Sequence, residues 1–268
     1  MRFIVAFIIG AVTSEMYFMW FESMVARGHI DSLTSYGDVL VYFFKGMKEF
    51  HPGTNAGETM FEVPVGYLLI GIVLAIIIGG HTVKDLHGYG KNRLVRYTSR
   101  MTWWIKACVW NICTVVKYYL SLHAGILIIC VVQKNLIDFS GRYSMFYIHE
   151  NIAKAICSTQ ITGNMDMNML LVMIIILPLI MCIAISLLQM MLEFLVIPSV
   201  SFIIILAIYI SSAFYMRWYM VGNYLMVYRM QPVNADGVGL EVGIIVAVII
   251  SVISVVLGYM KFKKHDIV

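Results

Sequence analysis

Few residues in this 268-residue chain combine a charged side chain with a position from which it could act. Glu15 falls inside the apolar stretch Phe3–Trp20, Lys117 and His123 inside Trp104–Val132, and Glu241 at the start of Leu240–Met260. An ionised group near the centre of a bilayer costs about 2.5–3.5 kcal/mol on insertion scales, so it normally faces a partner or water. Glu15 and Lys117 are therefore candidates for lining a pathway or for pairing with each other. The alternative is a first segment placed so that Glu15 lies nearer the surface. Lys117 can snorkel, and Glu241 reads as interfacial. A second group is basic and aromatic. Arg93, Arg96 and Arg100 fall within one narrow arc if Asn92–Trp104 is helical, with Leu94, Tyr97, Met101 and Trp104 beside them as an apolar stripe. Thr98 or Ser99 could instead cap a new helix and break the arc. Such a surface either fixes topology through inside charges and interfacial tryptophans, or docks a cytosolic partner, since Arg, Tyr and Trp are enriched at interfaces.

Several other chemistries lack their residues. Gly88-Tyr-Gly-Lys-Asn92 has neither the spacing nor the hydroxyl of a phosphate-binding Gly-x-x-x-x-Gly-Lys-[Ser/Thr] loop. There is no His-Glu-x-x-His for metal-assisted hydrolysis, no Gly-x-Ser-x-Gly nucleophile elbow and no adjacent Glu-Glu pair. Cys108, Cys113, Cys130, Cys157 and Cys182 show neither metal-ligand spacing nor Cys-x-x-Cys; Cys157 reads as a loop residue and the other four as small apolar fillers. His81 and His87 read as solvated loop histidines. The expectation is a non-enzyme that binds no metal or cofactor itself.

The elements that would position these residues follow from composition. Apolar residues make up 61% of the chain and charged ones 13%, against about 45–50% apolar in soluble domains, so lipid must solvate much of the surface. A span needs about 20 mostly apolar residues. The candidates are Phe3–Trp20, Pro64–Gly80, Trp104–Val132, Asn168–Leu192, Leu195–Tyr215 and Leu240–Met260. The fourth and fifth form one run that would be about 70 Å long if continuous, so it must fold back as a tight hairpin. Gln189, Glu193 and Pro198 are its turn signals. The apolar start lacks a basic region beyond Arg2 and a clear cleavage site, and reads as a retained first helix. Gly66 and Gly71 are candidates for close helix approach. The expected fold is an all-α polytopic transmembrane bundle of about six spanning helices in a single domain.

Six spans put both termini on one side. If the termini, His81–Lys106 and Gln189–Pro198 share that side, it carries Arg2, Lys84, Lys91, Arg93, Arg96, Arg100, Lys106, Lys261, Lys263 and Lys264 against three acids: Asp85, Glu193 and Asp266. The other three loops are longer and acidic on balance, so the positive-inside rule makes the termini cytoplasmic. On the opposite side lie the long loop Phe21–Val63, a second loop with an interfacial helix near Tyr147–Cys157, and Met216–Gly239, whose Trp218, Tyr219, Tyr224 and Tyr228 fit an aromatic belt. No concentrated basic face suggests a nucleic-acid partner.

The stretch Asp85-Leu-His-Gly-Tyr-Gly-Lys91, followed by Leu94-Val-Arg-Tyr-Thr-Ser-Arg-Met-Thr-Trp-Trp-Ile-Lys-Ala-Cys-Val-Trp110, resembles the loop after the second helix of small six-helix ABC transporter permeases of Gram-positive bacteria, of the type-2 exporter class. Gly222-Asn-Tyr-Leu-Met-Val-Tyr-Arg229 resembles the segment before that family's last helix. The resemblance covers most of the chain as a plan and about 40 residues as pattern. It implies a multi-pass subunit of the bacterial cell membrane that pairs with a second permease copy or a related permease. ATP and Mg would bind a separate ABC ATP-binding subunit, and peptides or antimicrobial compounds would be the cargo. It also implies that the loop 81–106 is the coupling segment, with Asp85, Tyr89, Arg93, Leu94, Arg96, Tyr97, Arg100, Trp103 and Trp104 facing the ATP-binding partner. The readings that compete with it are an ion-coupled carrier using Glu15 and a non-transporting anchor or immunity subunit.

Overall fold

The computed structural model describes residues 2–30, 33–50, 63–87, 99–133, 146–157 and 166–263. Among them are nine α-helices and no strand: α1 (Arg2–Ala26), α2 (Tyr36–Phe43), α3 (Val65–Ile78), α4 (His81–His87), α5 (Arg100–Val132), α6 (Glu150–Cys157), α7 (Met167–Leu195), α8 (Pro198–Phe214) and α9 (Leu240–Lys263). Five stretches are long and apolar enough to cross a membrane: Phe3–Ala26, Val65–Lys84, Arg100–Val132, Asn168–Leu195 and Leu240–Lys263. The 17-residue α8 is apolar but shorter, rising about 26 Å against a hydrocarbon thickness of about 30 Å. The chain is an all-α polytopic helical bundle.

The long apolar run folds back as its length requires. Helix α7 ends at Leu195, Val196 and Ile197 are extended, and Pro198 opens α8. Proline suits that first position because its fixed φ is helical and its missing N–H has no intrahelical acceptor there. Gln189 and Glu193 lie inside α7 instead of in the turn, a correction to the sequence reading. Pro178 interrupts the hydrogen-bond ladder of α7, where an unsatisfied carbonyl in lipid would be costly. The Tyr119 hydroxyl of α5 answers it, donating to Ile175 O at 2.9 Å and Ile174 O at 3.4 Å.

Helix α5 is the bundle's polar adhesive. Tyr118 donates to Ile70 O of α3 at 3.0 Å, and Asn111 Nδ2 donates to Ser186 O of α7 at 3.0 Å. Such interhelical bonds are one of the few attractive forces left once lipid replaces water. Gly10 of α1 and Gly125 of α5 face each other so closely that a Cβ on either would strike the opposing backbone. Of the two glycines expected to allow packing, Gly71 lies under the Tyr209 ring, with 2.5 Å left for a Cβ, whereas Gly66 has 3.5 Å to its nearest neighbour.

Helices α1 and α5 run parallel: Gly10 meets Leu122 and Ile126, and Glu15 reaches Gln133. Helices α7 and α9 do likewise, with Gly243 against Leu177 and Gly258 against Met191. Each end of the bundle therefore gathers a defined set of termini. The end holding the finish of α3, α7 and α9 and the start of α5 and α8 is the basic end. The other is the cap end.

At the cap end the loops fold back over the bundle. Ser35 and Asp38 form a reciprocal capping box on α2, seven of whose eight residues are buried. Asp38 also accepts from His149 N at 2.7 Å and approaches His149 Nδ1 at 2.6 Å, which fastens α2 to the start of α6. Ser35 Oγ donates to Tyr147 O, and the Tyr17 and Thr34 hydroxyls bond each other. Val227 N and Tyr228 N donate to Phe44 O and Lys45 O at 2.8 and 3.1 Å, while Tyr228 OH donates to Ile156 O at 3.0 Å. Trp218 and Tyr219 are exposed, as a belt requires, but Tyr224 is fully buried and Tyr228 half-buried. Cys157, expected in a loop, ends α6 and is buried, and its low-dielectric surroundings push the thiol up to about 12.

Arg229 holds this cap together. It is completely buried and uses all three guanidinium nitrogens. Nε donates to Met47 O at 3.1 Å; Nη1 donates to Ser212 O, to Tyr215 O at 3.1 Å and to Asn223 Oδ1 at 2.5 Å; Nη2 donates to Ala213 O at 2.6 Å and Lys48 O at 3.3 Å. Three of these acceptors belong to the last turn of α8 and the residue that caps it, where orphan carbonyls and the helix dipole favour a cation. Burial pulls the guanidinium down from 12.5 to about 10, opposed by nearby Tyr67 and Glu49, so it stays charged at neutral pH.

Candidate coupling site at the basic end

The sequence-predicted coupling residues fall into three groups. Tyr89, Arg93, Leu94, Arg96 and Tyr97 lie outside the described residues, and Asp85 belongs to α4. Arg100, Trp103 and Trp104 belong to α5. Ser99 is extended (φ −149°, ψ 132°), and its Oγ accepts from Met101 N and Thr102 N at 3.1 and 3.4 Å. A single helix over Asn92–Trp104 is thereby excluded: Arg100 opens a new helix, which was the alternative open in the sequence.

Trp103 and Trp104 are only 4% and 1% exposed, so they offer no ring to a partner and are corrected to internal packing residues. Trp103 stacks on Phe262 at 4.7 Å, and Trp104 meets Phe194 edge-on at 5.4 Å. Trp104 Nε1 donates to Val255 O at 3.0 Å, and its ring fills the notch left by Gly258. This aromatic wedge joins α5, α7 and α9. Arg100 remains exposed and donates to Lys263 O at 2.5 Å, holding the end of α9.

The expected mutual pair of Glu15 and Lys117 does not form. Glu15 accepts from Gln133 Nε2 at 3.2 Å, near the cap end of α5. Lys117 is exposed on α5, about 24 Å back along the helix from Gln133. Glu241 is exposed in the first turn of α9, in agreement with an interfacial position.

The residues that tie the basic segment to the bundle are others. Helix α3 ends at Gly79–Gly80, and Gly80 adopts the left-handed φ of +69° that only glycine takes readily. Helix α4 starts directly after it. Two side chains one turn apart on α7 clamp this junction. Gln189 Nε2 donates to Ala75 O at 2.9 Å, while Glu193 Oε1 accepts from Gly80 N at 2.7 Å. Ser201 of α8 donates to Gln189 O at 3.1 Å, so the α7–α8 hairpin joins the same cluster. The His81 ring stacks on Trp110 of α5 at 3.5 Å and 11°. A polar i, i+4 pair in an otherwise apolar helix, opposite a Gly-Gly helix end, is the signal by which the sequence could have disclosed this clamp.

No group of three or more His, Cys, Asp or Glu side chains able to hold a metal occurs among the described residues. The arrangement bonds α7 to both sides of the junction: Gln189 to the last turns of α3, and Glu193 to Gly80 at the start of α4.

A family model described as protein of unknown function (DUF2705) matches residues 38–268, and the chain belongs to that family. No curated protein and no solved structure matches it.

Proposed function

We propose that this member of the DUF2705 family is the membrane-spanning permease subunit of an ATP-driven ABC exporter in the bacterial cell membrane, with its termini and basic end cytoplasmic. The observation that carries the reading is the clamped junction at Gly79–Gly80, which binds the segment resembling a coupling loop to the α7–α8 hairpin. Closure of a nucleotide-binding pair would displace that segment, and the clamp would pass the displacement into the bundle. A second permease copy, or a related one, would complete the pathway. The resemblance points to peptides or antimicrobial compounds as cargo. Positive-inside charge supports the orientation, since Arg100, Lys106, Lys261 and Lys263 gather at this end. Glu15, the acid on which an ion-coupled carrier would rely, bonds Gln133 near the cap end.

The test is co-expression with candidate ATP-binding-cassette subunits, reading co-purification and ATPase activity for wild type and for Arg93→Glu, Arg96→Glu and Arg100→Glu combined. A wild-type complex that the triple reversal weakens at least about ten-fold is expected, because rim charges of unlike sign set such contacts. Failure of the wild type to bind any nucleotide-binding subunit would sink the reading and favour the anchor or immunity protein.

A further inference from the structure

Glu193 is an expensive residue to keep where it is. It lies in a helix with the apolarity of a membrane span and is only 5% exposed. One carboxylate oxygen accepts the Gly80 N–H at 2.7 Å, while the buried Oε2 makes no geometric hydrogen bond among the described residues and has the Gln189 amide and the Lys84 ammonium as its polar neighbours. A buried carboxylate normally fills both oxygens, since each idle one forfeits the solvation it had in water.

Two features show what could fill it. Lys84, one turn into α4, lies within electrostatic reach of the carboxylate, and its side chain is exposed. Its Nζ lies 4.0 Å from the position a Cβ on Gly80 would take, so it borders the glycine that Glu193 holds. Gly80 also separates α3 from α4 with a left-handed φ of +69°, so a turn of α4 relative to α3 would fall there.

We infer that Glu193 is the positioning residue through which movement of the basic segment reaches the α7–α8 hairpin, and that Lys84 is its ion-pair partner once α4 has moved. The first position is the one seen, with Oε1 on the Gly80 N–H. In the second, rotation at Gly80 brings the Lys84 ammonium onto Oε2, so the carboxylate exchanges a backbone partner for a charged one and α7 stays attached to α4. Gln189, bonded to Ala75 O on the fixed part of α3, is the stationary half of the clamp. The inference rests on the permease reading for the source of the movement.

Hydrogen exchange followed by mass spectrometry, on the permease alone and on its complex with the ATP-binding subunit, tests it in two arms. In the permease alone, Glu193→Ala should speed exchange in the peptide containing Gly80 by about ten-fold or more, the effect of losing a hydrogen bond to a charged group. Glu193→Gln retains an accepting oxygen and should stay within about three-fold of wild type, as should Lys84→Gln. Unchanged exchange in Glu193→Ala would overturn the clamp whether or not any complex forms. In the complex, ATP with vanadate should alter exchange across the turn Leu195–Ser199 in wild type. That response should vanish in Glu193→Gln and Lys84→Gln while co-purification persists. A wild-type response in both variants would overturn the ion-pair step and leave the permease reading standing. Absence of any complex would refute that reading separately.

Discussion

The cap end and the basic end bury charged residues on different terms. At the cap, Asp38 and Arg229 are fully buried and engage all their donor or acceptor atoms: Asp38 with Ser35 and His149, Arg229 with six oxygens drawn from three stretches of chain. At the basic end, the aromatic wedge of Trp103, Trp104, Phe194 and Phe262 packs by shape, and Glu193 uses one oxygen beside a glycine pair. A buried charge with every donor or acceptor atom engaged has few low-energy arrangements and resists displacement. A half-used carboxylate beside a left-handed glycine has an acceptor to spare, which the inferred Lys84 pairing would use. The contrast is between a fully bonded frame at one end of the bundle and a sparsely bonded glycine junction at the other.

The sharpest way to break this comparison is to remove the centre of the frame. Arg229→Met should destabilise the protein by more than about 3 kcal/mol in unfolding measured in detergent, because each buried acceptor deprived of its donor costs about 1–3 kcal/mol. A loss below about 1 kcal/mol would mean that the cap does not depend on it. Asp38→Ala should cost about 2–3 kcal/mol, combining the helix cap with the charge-assisted bonds to His149, and should release α6 and α2 together to protease. If only α2 is nicked, the two are not one unit. At the basic end the effects should be smaller. Trp104→Phe keeps an aromatic ring against Phe194 and loses the bond to Val255 O, an expected cost of about 1 kcal/mol by thermal unfolding. A cost equal to that of Arg229→Met would erase the distinction between the two ends.

The same division separates what could be read from the chain. Span positions were legible, because lipid demands unbroken apolar stretches of a given length, and five of the helices meet that demand where expected. The hairpin after Leu195 was legible for the same reason. Its polar residues were misplaced: Gln189 and Glu193 looked like turn signals because polarity in an apolar run is ambiguous between a turn and an inward-facing side chain. Trp103 and Trp104 looked like interface anchors because composition does not reveal that Gly258 leaves a notch for one ring and Phe262 a platform for the other. Nothing local in the sequence distinguishes the buried Arg229 from Arg217, which is exposed.

What the sequence by itself determined was the solvent: an apolar, sparsely charged chain with basic residues gathered on alternate connections must fold as membrane-spanning helices, because hydropathy and helix length are local properties. Only the tertiary structure decided which charges are buried and with whom. Asp38 finds His149 across 111 residues of chain, Glu193 finds Gly80 across 113, and Arg229 finds Met47 across 182. Those partnerships depend on how helices and returning loops meet in space, and no local pattern encodes that.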